Sequence, residues 1–190
     1  MGAAEFELML KSAVGAEGVL VNEPLARHTT FEIGGPAQWL VLPRTEEQVA
    51  AVVARCREAG VPWRVLGAGS NVLAPDEGLG GVVLKLAENF AATEVLPGGE
   101  LRACAGATNE AVAALACEQG LSGYEFACGI PGTIGGAAYM NAGAYEGQFS
   151  DVCASVRCLD GEGHVVEVPA AQAQFGYRHS LMMEQGLVIL

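Results

Sequence analysis

Apolar residues at Phe6, Leu10 and Val14 stand about one helical turn apart and predict a short amphipathic helix over residues 5–13. Asn22-Glu23-Pro24 reads as a turn. Ala37 to Leu42 is a short apolar strand that Pro43 ends. Thr45 and Gln48 have capping-box spacing and open a helix running to about Ala59. Val49, Val52, Val53 and Cys56 give that helix one buried stripe, and Gly60 terminates it. Residues 61–66 and 81–86 are strands, with Gly67 breaking the first. The order strand, helix, strand, glycine loop, strand is an α/β pattern.

Periodicity is lost over residues 87–100, where Pro97-Gly98-Gly99 marks a junction between subdomains. Residues 101–105 alternate like a strand, and Thr108 caps a helix over 109–119 with Val112, Leu115 and Ala116 inward. Gly120 is placed to act as its C-cap. Residues 152–159 and 164–168 flank Asp160-Gly161-Glu162-Gly163, a hairpin signal that Pro169 closes. Residues 186–190 form an apolar strand pattern that stops at Leu190 without an exit loop or partner, which reads as a cut inside a longer protein. The expected division is an N-terminal helical segment (1–20), a first subdomain (21–88) and a second (89–190) incomplete at its C-terminal end.

Charge narrows the ligand classes. The 190 residues carry 22 Asp and Glu against 10 Lys and Arg, a net charge of -12. A broad surface for nucleic acid or anionic membrane is excluded on that balance. Any local positive potential must come from single arginines and backbone N–H groups. No uninterrupted apolar run is long enough for a membrane span, and the N-terminus lacks the basic start and apolar run of a secretory signal. The six cysteines contain no C-x-x-C pair and are read as reduced core residues, which fits the cytoplasm. The three histidines lie far apart, so no metal is expected.

The 26 glycines cluster at a few places. Gly67, Ala68, Gly69, Ser70, Asn71 and Val72 follow a predicted strand. Successive N–H groups in such a turn can form an anion nest, with a phosphate as the natural guest. No Lys follows, so this is not a P-loop, and the missing third glycine and helix exclude a Rossmann fingerprint. A purely structural tight turn fits the same residues. The second segment reads Gly129, Ile130, Pro131, Gly132, Thr133, Ile134, Gly135, Gly136, Ala137. Four glycines and a proline in nine positions predict an irregular loop rather than a helix. That composition suits a flat, phosphate-bearing cofactor lying against backbone, or else a buried turn between packed elements.

These motifs occur together with Asn22-Glu23-Pro24-Leu25, His28-Thr29-Thr30-Phe31, Ile33-Gly34-Gly35, Gly123-Tyr124-Glu125-Phe126, Met140-Asn141-Ala142-Gly143-Ala144-Tyr145 and Phe175-Gly176-Tyr177-Arg178-His179-Ser180. In this order, over residues of about 20–190, the chain resembles the bacterial UDP-N-acetylenolpyruvoylglucosamine reductase (UDP-N-acetylmuramate dehydrogenase) family. The resemblance implies an α+β, two-subdomain FAD-binding fold of the vanillyl-alcohol-oxidase type. It also implies a cytoplasmic flavoprotein oxidoreductase of peptidoglycan precursor synthesis, and so a role in cell-wall biogenesis, cell shape and cell division. In that family NADPH reduces FAD, and hydride then passes to the enolpyruvyl double bond of UDP-N-acetylglucosamine-enolpyruvate. Gly67 to Val72 would contact the FAD pyrophosphate. Gly129 to Thr133, with Gly135 and Gly136, would line the flavin and phosphates.

Arg178 matches the family's arginine beside the enolpyruvyl carboxylate, where a fixed guanidinium stabilises charge arriving with the hydride. Tyr177 would support Arg178, line the pocket or pack in the core. His179 is expected to be structural, Ser180 to orient Arg178 or the local turn, and His28 to position backbone or touch the cofactor. The family's catalytic serine, in a Gly-Ser-Phe-Phe-type segment, and its later glutamate have no counterpart in these residues. The resemblance thus implies an incomplete enzyme lacking the C-terminal substrate domain. A standalone flavin-binding or interaction module, or an FAD oxidase of the same fold using Cys128 for covalent attachment, stay open.

Overall fold

The computed structural model describes residues 2–190. Backbone contacts divide the chain into two units, Met1–Asn89 and Phe90–Leu190.

The first unit begins with α1 (Ala3–Val14), which buries Phe6, Leu10 and Val14 as the pattern predicts. Then follow β1 (Val19–Pro24), β2 (Pro36–Val41), α2 (Glu46–Ala59), β3 (Trp63–Leu66) and β4 (Leu79–Lys85). The sheet order is β1-β2-β4-β3; β1 pairs antiparallel with β2, while β2 and β3 each pair parallel with β4. The two central strands, β2 and β4, bury Leu40, Val41, Val82, Val83 and Leu84 on alternating faces, as near-continuous apolar strands require. Phe6 meets Trp39 edge-on at 5.1 Å, joining α1 to the sheet. Each such fully buried aliphatic side chain contributes roughly 1.5–3 kcal/mol.

Helix α2 forms for local reasons. The Thr45 hydroxyl accepts from the Gln48 N–H, and Gly60 ends the helix in left-handed backbone. The Gln48 side chain reaches back to the Arg44 N–H rather than to that of Thr45, so the capping box is shifted by one residue. Asn22-Glu23-Pro24 is not a free turn. It is the end of β1, where the ladder passes from Val21↔Trp39 to Glu23↔Ala37 with Asn22 at φ +52 between them. Asparagine tolerates that left-handed kink, so the turn signal was local and the pairing prevailed.

The second unit holds β5 (Thr93–Leu96), β6 (Glu100–Ala103), α3 (Asn109–Glu118), α4 (Ile134–Met140), β7 (Gly143–Ala144), β8 (Gly147–Gln148), β9 (Ser155–Leu159), β10 (Val165–Pro169), α5 (Leu181–Gln185) and β11 (Val188–Ile189). Residues 93–100, expected as part of a junction, and 101–103, expected as strand, form an antiparallel hairpin around Pro97-Gly98-Gly99. Helix α3 is capped by Thr108 as expected, with Val112 and Ala116 buried and Leu115 half-buried. The β9–β10 hairpin forms as read. The C-terminal strand β11 has a partner after all: it adds antiparallel to β9, giving the order β10-β9-β11, and the Leu190 N–H donates to the Arg157 carbonyl.

The cysteine expectation needs correction. All six are free thiols, but only Cys56 and Cys158 are buried, whereas Cys117 and Cys128 are exposed. Burial pushes the Cys56 thiol up to about 11 and the Cys158 thiol up to about 12.

Candidate functional site

In the first unit, β3 delivers the chain to the buried Leu66, and Gly67 to Asn71 then leave the sheet. Gly69 sits at φ +70, and a Cβ there would overlap the His28 carbonyl oxygen and come within 2.8 Å of Thr29 Cα. Only glycine satisfies both demands. The Thr30 N–H in turn donates to the Gly69 carbonyl at 3.2 Å. Residues 28–30 therefore form a backing against which this loop is set. Among the described residues, no backbone carbonyl accepts from the N–H groups of Gly67, Ala68, Gly69 or Asn71. Gly67, Ala68 and Ser70 are half-buried, while Asn71 and Val72 are exposed. A run of amides without a backbone acceptor is the donor set an oxyanion requires.

His28 is held by its side chain. Its Nε2 lies 3.1 Å from Glu23 Oε1 and its Nδ1 lies 3.3 Å from Lys85 Nζ, which also reaches Glu88 Oε1 at 3.1 Å.

In the second unit, the segment expected to be wholly irregular contains a helix. Pro131-Gly132 breaks the chain, but the Thr133 hydroxyl then accepts from the Gly136 N–H and opens α4. Gly135 lies flush against Ala105: a Cβ there would meet Ala105 Cβ at 2.8 Å. Glycine's poor helix propensity is thus overridden by a close tertiary approach. The amides of this segment are largely engaged. Ile134 donates to the Ala107 carbonyl and Gly135 to the Ala105 carbonyl, both at 2.8 Å, and Ile130 donates to the Ala127 carbonyl. Among the described residues, the N–H groups of Gly129, Gly132 and Thr133 have no backbone acceptor. Gly129 is exposed, and a Cβ there would meet nothing within 4 Å.

Two buried side chains absent from the expected set hold this segment. Asn109, 2% exposed, donates from Nδ2 to the Ile130 carbonyl, and its own N–H donates to the Gly132 carbonyl. The Tyr124 hydroxyl donates to Asn109 Oδ1 at 2.9 Å. Burial pushes the Tyr124 phenol well above its ordinary range, so it remains a donor. In sequence Asn109 looks like a solvated first residue of a helix, and only the tertiary contact reveals its work.

Arg178 lies at the tip of a tight reversal. Gly176 and His179 exchange two backbone hydrogen bonds, 3.1 and 3.2 Å long, with Tyr177 and Arg178 between them. Arg178 has φ +54, uncommon for a residue with a side chain and a local cost borne by the surrounding contacts. Both residues are exposed; Tyr177, at 91%, is not core, and the Arg178 guanidinium carbon lies 5.5 Å from its ring centroid. The reversal is anchored to the segment after α4. Buried Asn141 donates from Nδ2 to the Gly176 carbonyl, and its Oδ1 accepts from the Ser150 N–H. Ser180 is fully buried, donates to the Tyr139 carbonyl at 2.7 Å and caps α5, so it orients the local turn. His179 Nε2 stands 3.8 Å from Glu184 Oε2.

The tip of the β9–β10 hairpin brings Asp160, Glu162 and His164 ligand atoms within 4.8 Å of one another, a grouping the sequence reading did not foresee. Asp160 Oδ1 already accepts the N–H groups of Glu162 and His164, which accounts for the arrangement as turn wiring. No helix among the described residues is long and apolar enough to cross a membrane.

Each of the two units carries its own glycine-rich segment, and Arg178 lies exposed in the second. The model of the FAD binding domain matches residues 37–169, and the chain belongs to that family. It is similar to UDP-N-acetylenolpyruvoylglucosamine reductase of Clostridioides difficile (strain 630), with 41% identity over 190 residues, covering 100% of this chain and 62% of the relative. The corresponding protein of Clostridium perfringens (strain SM101 / Type A) is 42% identical, over 98% of this chain and 60% of its own. The chain thus spans about 60% of the length of the curated relatives it matches.

The solved structure of the same reductase from Thermus caldophilus superposes with a TM-score of 0.75 at 33% identity, covering 90% of this chain and 59% of that one. p-Cresol methylhydroxylase superposes with a TM-score of 0.69 at 17% identity, over 96% of this chain and 40% of that one, a likeness of fold alone. The expected α+β fold of the vanillyl-alcohol-oxidase type is the one found.

Proposed function

We propose that this chain is the FAD-holding portion of a UDP-N-acetylenolpyruvoylglucosamine reductase, and that Arg178 is its contribution to the substrate site. The observation that carries the reading is the Gly67–Asn71 turn, where among the described residues the N–H groups of Gly67, Ala68, Gly69 and Asn71 meet no backbone acceptor and Gly69 admits no side chain. In a chain with a net charge of -12, such amides are the means of holding a pyrophosphate that no lysine patch could hold.

FAD, when bound, supplies the hydride chemistry, with NADPH as the reductant. Gly67, Ala68, Gly69 and Asn71 donate to phosphate oxygens, and Ser70 and Val72 complete the turn. Gly129, Gly132 and Thr133 offer the unengaged donors of the second segment, while Ile130, Pro131, Gly135 and Gly136 shape its backbone. Arg178, fixed on its reversal, binds the carboxylate of the enolpyruvyl sugar nucleotide through two parallel N–H donors and stabilises the charge that builds there. Tyr177 limits the swing of the guanidinium. Protonation of the adjacent carbon is assigned to residues outside this chain, consistent with the 60% span. The protein works in the cytoplasm, on a precursor of the peptidoglycan wall.

The test has two stages. The purified chain should bind FAD saturably, with a shifted flavin absorption spectrum. NADPH oxidation dependent on the enolpyruvyl sugar nucleotide should then require the full-length protein. There, Arg178→Ala should keep the flavin and lose about 100-fold or more in hydride transfer to substrate. Unchanged transfer would remove Arg178 from the mechanism. A flavin that survives acid denaturation on the protein would point instead to an oxidase with covalent attachment at Cys128.

A further inference from the structure

We infer that Asn141 is the positioning residue for Arg178, and that through α4 it holds the guanidinium in fixed register with the second glycine segment. The inference rests on the reading that Arg178 binds the enolpyruvyl carboxylate while the segment from Gly129 lines the flavin.

The side chain of Arg178 does not fix its own place. Among the described residues no carboxylate pairs with it, and its ring contact is to Tyr177, itself 91% exposed. Placement therefore passes to the backbone of the reversal, where Arg178 takes φ +54. Three contacts tie that reversal to α4 and the segment after it. The Phe175 ring meets Phe149 edge-on at 6.0 Å, and Ser180 Oγ donates to the Tyr139 carbonyl at 2.7 Å. The third acts at the base of the reversal itself. There the Gly176 carbonyl accepts both the His179 N–H and, at 3.0 Å, Asn141 Nδ2.

Asn141 meets two demands at once. It closes α4 in left-handed backbone, φ +43, which asparagine tolerates. Its amide is engaged at both ends: Oδ1 accepts from the Ser150 N–H at 3.0 Å, and Nδ2 also donates to Gln148 Oε1 at 3.1 Å. The Ser150 donor fixes which end is oxygen. Gln148 is held in turn by Asp151 through Nε2 at 3.3 Å. At 4% exposure, the lost bonds of Asn141 are not replaced by water. Aspartate would keep the shape and the left-handed backbone but set an oxygen against the Gly176 carbonyl. Helix α4 itself has seven residues, about 10 Å of rise. It starts directly after Gly132 and Thr133, whose N–H groups have no backbone acceptor among the described residues, and Gly135 pins it on Ala105. One short element thus carries the open donors of the second segment at one end and the anchor of Arg178 at the other.

The experiment uses the full-length protein loaded with FAD. Stopped-flow absorbance separates flavin reduction by NADPH from flavin reoxidation by the enolpyruvyl sugar nucleotide. Asn141→Asp should reduce within about threefold of the wild-type rate but reoxidise about 10- to 100-fold more slowly, the effect of shifting a reacting partner by about 1 Å. Added to Arg178→Ala, it should slow reoxidation by no more than about twofold further, because both changes act through one guanidinium. Without substrate, hydrogen exchange at the Gly176 and His179 N–H groups should quicken about tenfold or more while α4 keeps its protection. Asn141→Gly accepts the left-handed backbone freely and should show the same pattern if the aspartate variant does not fold. A purely structural Asn141 would slow both half-reactions together, or add its full defect to Arg178→Ala; either result overturns the proposal. So does wild-type reoxidation in Asn141→Asp, or loss of flavin from both variants. If Arg178→Ala alone reoxidises at the wild-type rate, the reading of Arg178 has failed and takes this inference with it, an outcome distinct from the others.

Discussion

The two glycine-rich segments look alike in sequence and differ in what their glycines do. In Gly67–Asn71 the N–H groups of Gly67, Ala68, Gly69 and Asn71 meet no backbone acceptor among the described residues, and Gly69 is demanded by the chain itself, because residue 28 fills the place of its side chain. In Gly129–Ala137 the chain engages the amides of Ile134 and Gly135, and Gly135 is demanded by Ala105. Gly129 in the same segment is demanded by nothing in the chain. A glycine run is therefore not one signal. It mixes positions that serve packing with positions left open to a ligand, and only the neighbours distinguish them.

The sharpest contrast comes from alanine at each kind of position. Gly69→Ala, with an overlap against backbone and an unfavourable φ, should cost about 3 kcal/mol or more in denaturant unfolding and abolish FAD binding. Gly135→Ala should cost about 1–3 kcal/mol, with partial recovery in Gly135→Ala combined with Ala105→Gly. Full stability of Gly135→Ala would show that α4 does not depend on the close approach. Tyr124→Phe leaves Asn109 Oδ1 buried without its donor and should lower stability by about 1–2 kcal/mol, loosening the Ile130–Gly132 stretch in hydrogen exchange. Gly129→Ala should leave stability within about 0.5 kcal/mol of wild type while weakening FAD binding, the mark of a position reserved for a ligand. The smallest effect is chemical. In the native protein Cys117 and Cys128 should alkylate readily, and Cys56 and Cys158, buried and with thiols pushed up to about 11 and about 12, only on unfolding.

Local signals were legible where structure is local. Helix α2 carries its own cap, stripe and terminating glycine within residues 45–60, and the α1 stripe needed only its spacing. The first strand of the hairpin, β5, was hidden because Thr93, Glu94 and Val95 are all exposed, so no alternation separates an inner from an outer face. Helix α4 was hidden by its glycines, whose cost is met by packing on a residue 30 positions earlier in the chain, Ala105. At the candidate site, the sequence motif singled out Arg178 and both glycine segments. It did not reveal the left-handed backbone of Arg178, the Asn141 anchor beneath its reversal, or the Asn109–Tyr124 pair, since each depends on partners remote along the chain. Nor did it reveal that several amides of the second segment are already bonded.

The most direct test is a flavin fluorescence titration of the folded chain, run beside Gly69→Ala with circular dichroism as the check on folding. Saturable, one-to-one FAD binding by wild type, absent in the variant, is the expected result. A folded wild-type chain that never saturates with FAD, or a Gly69→Ala chain that binds as tightly as wild type, contradicts the claim that this turn's backbone amides hold the cofactor.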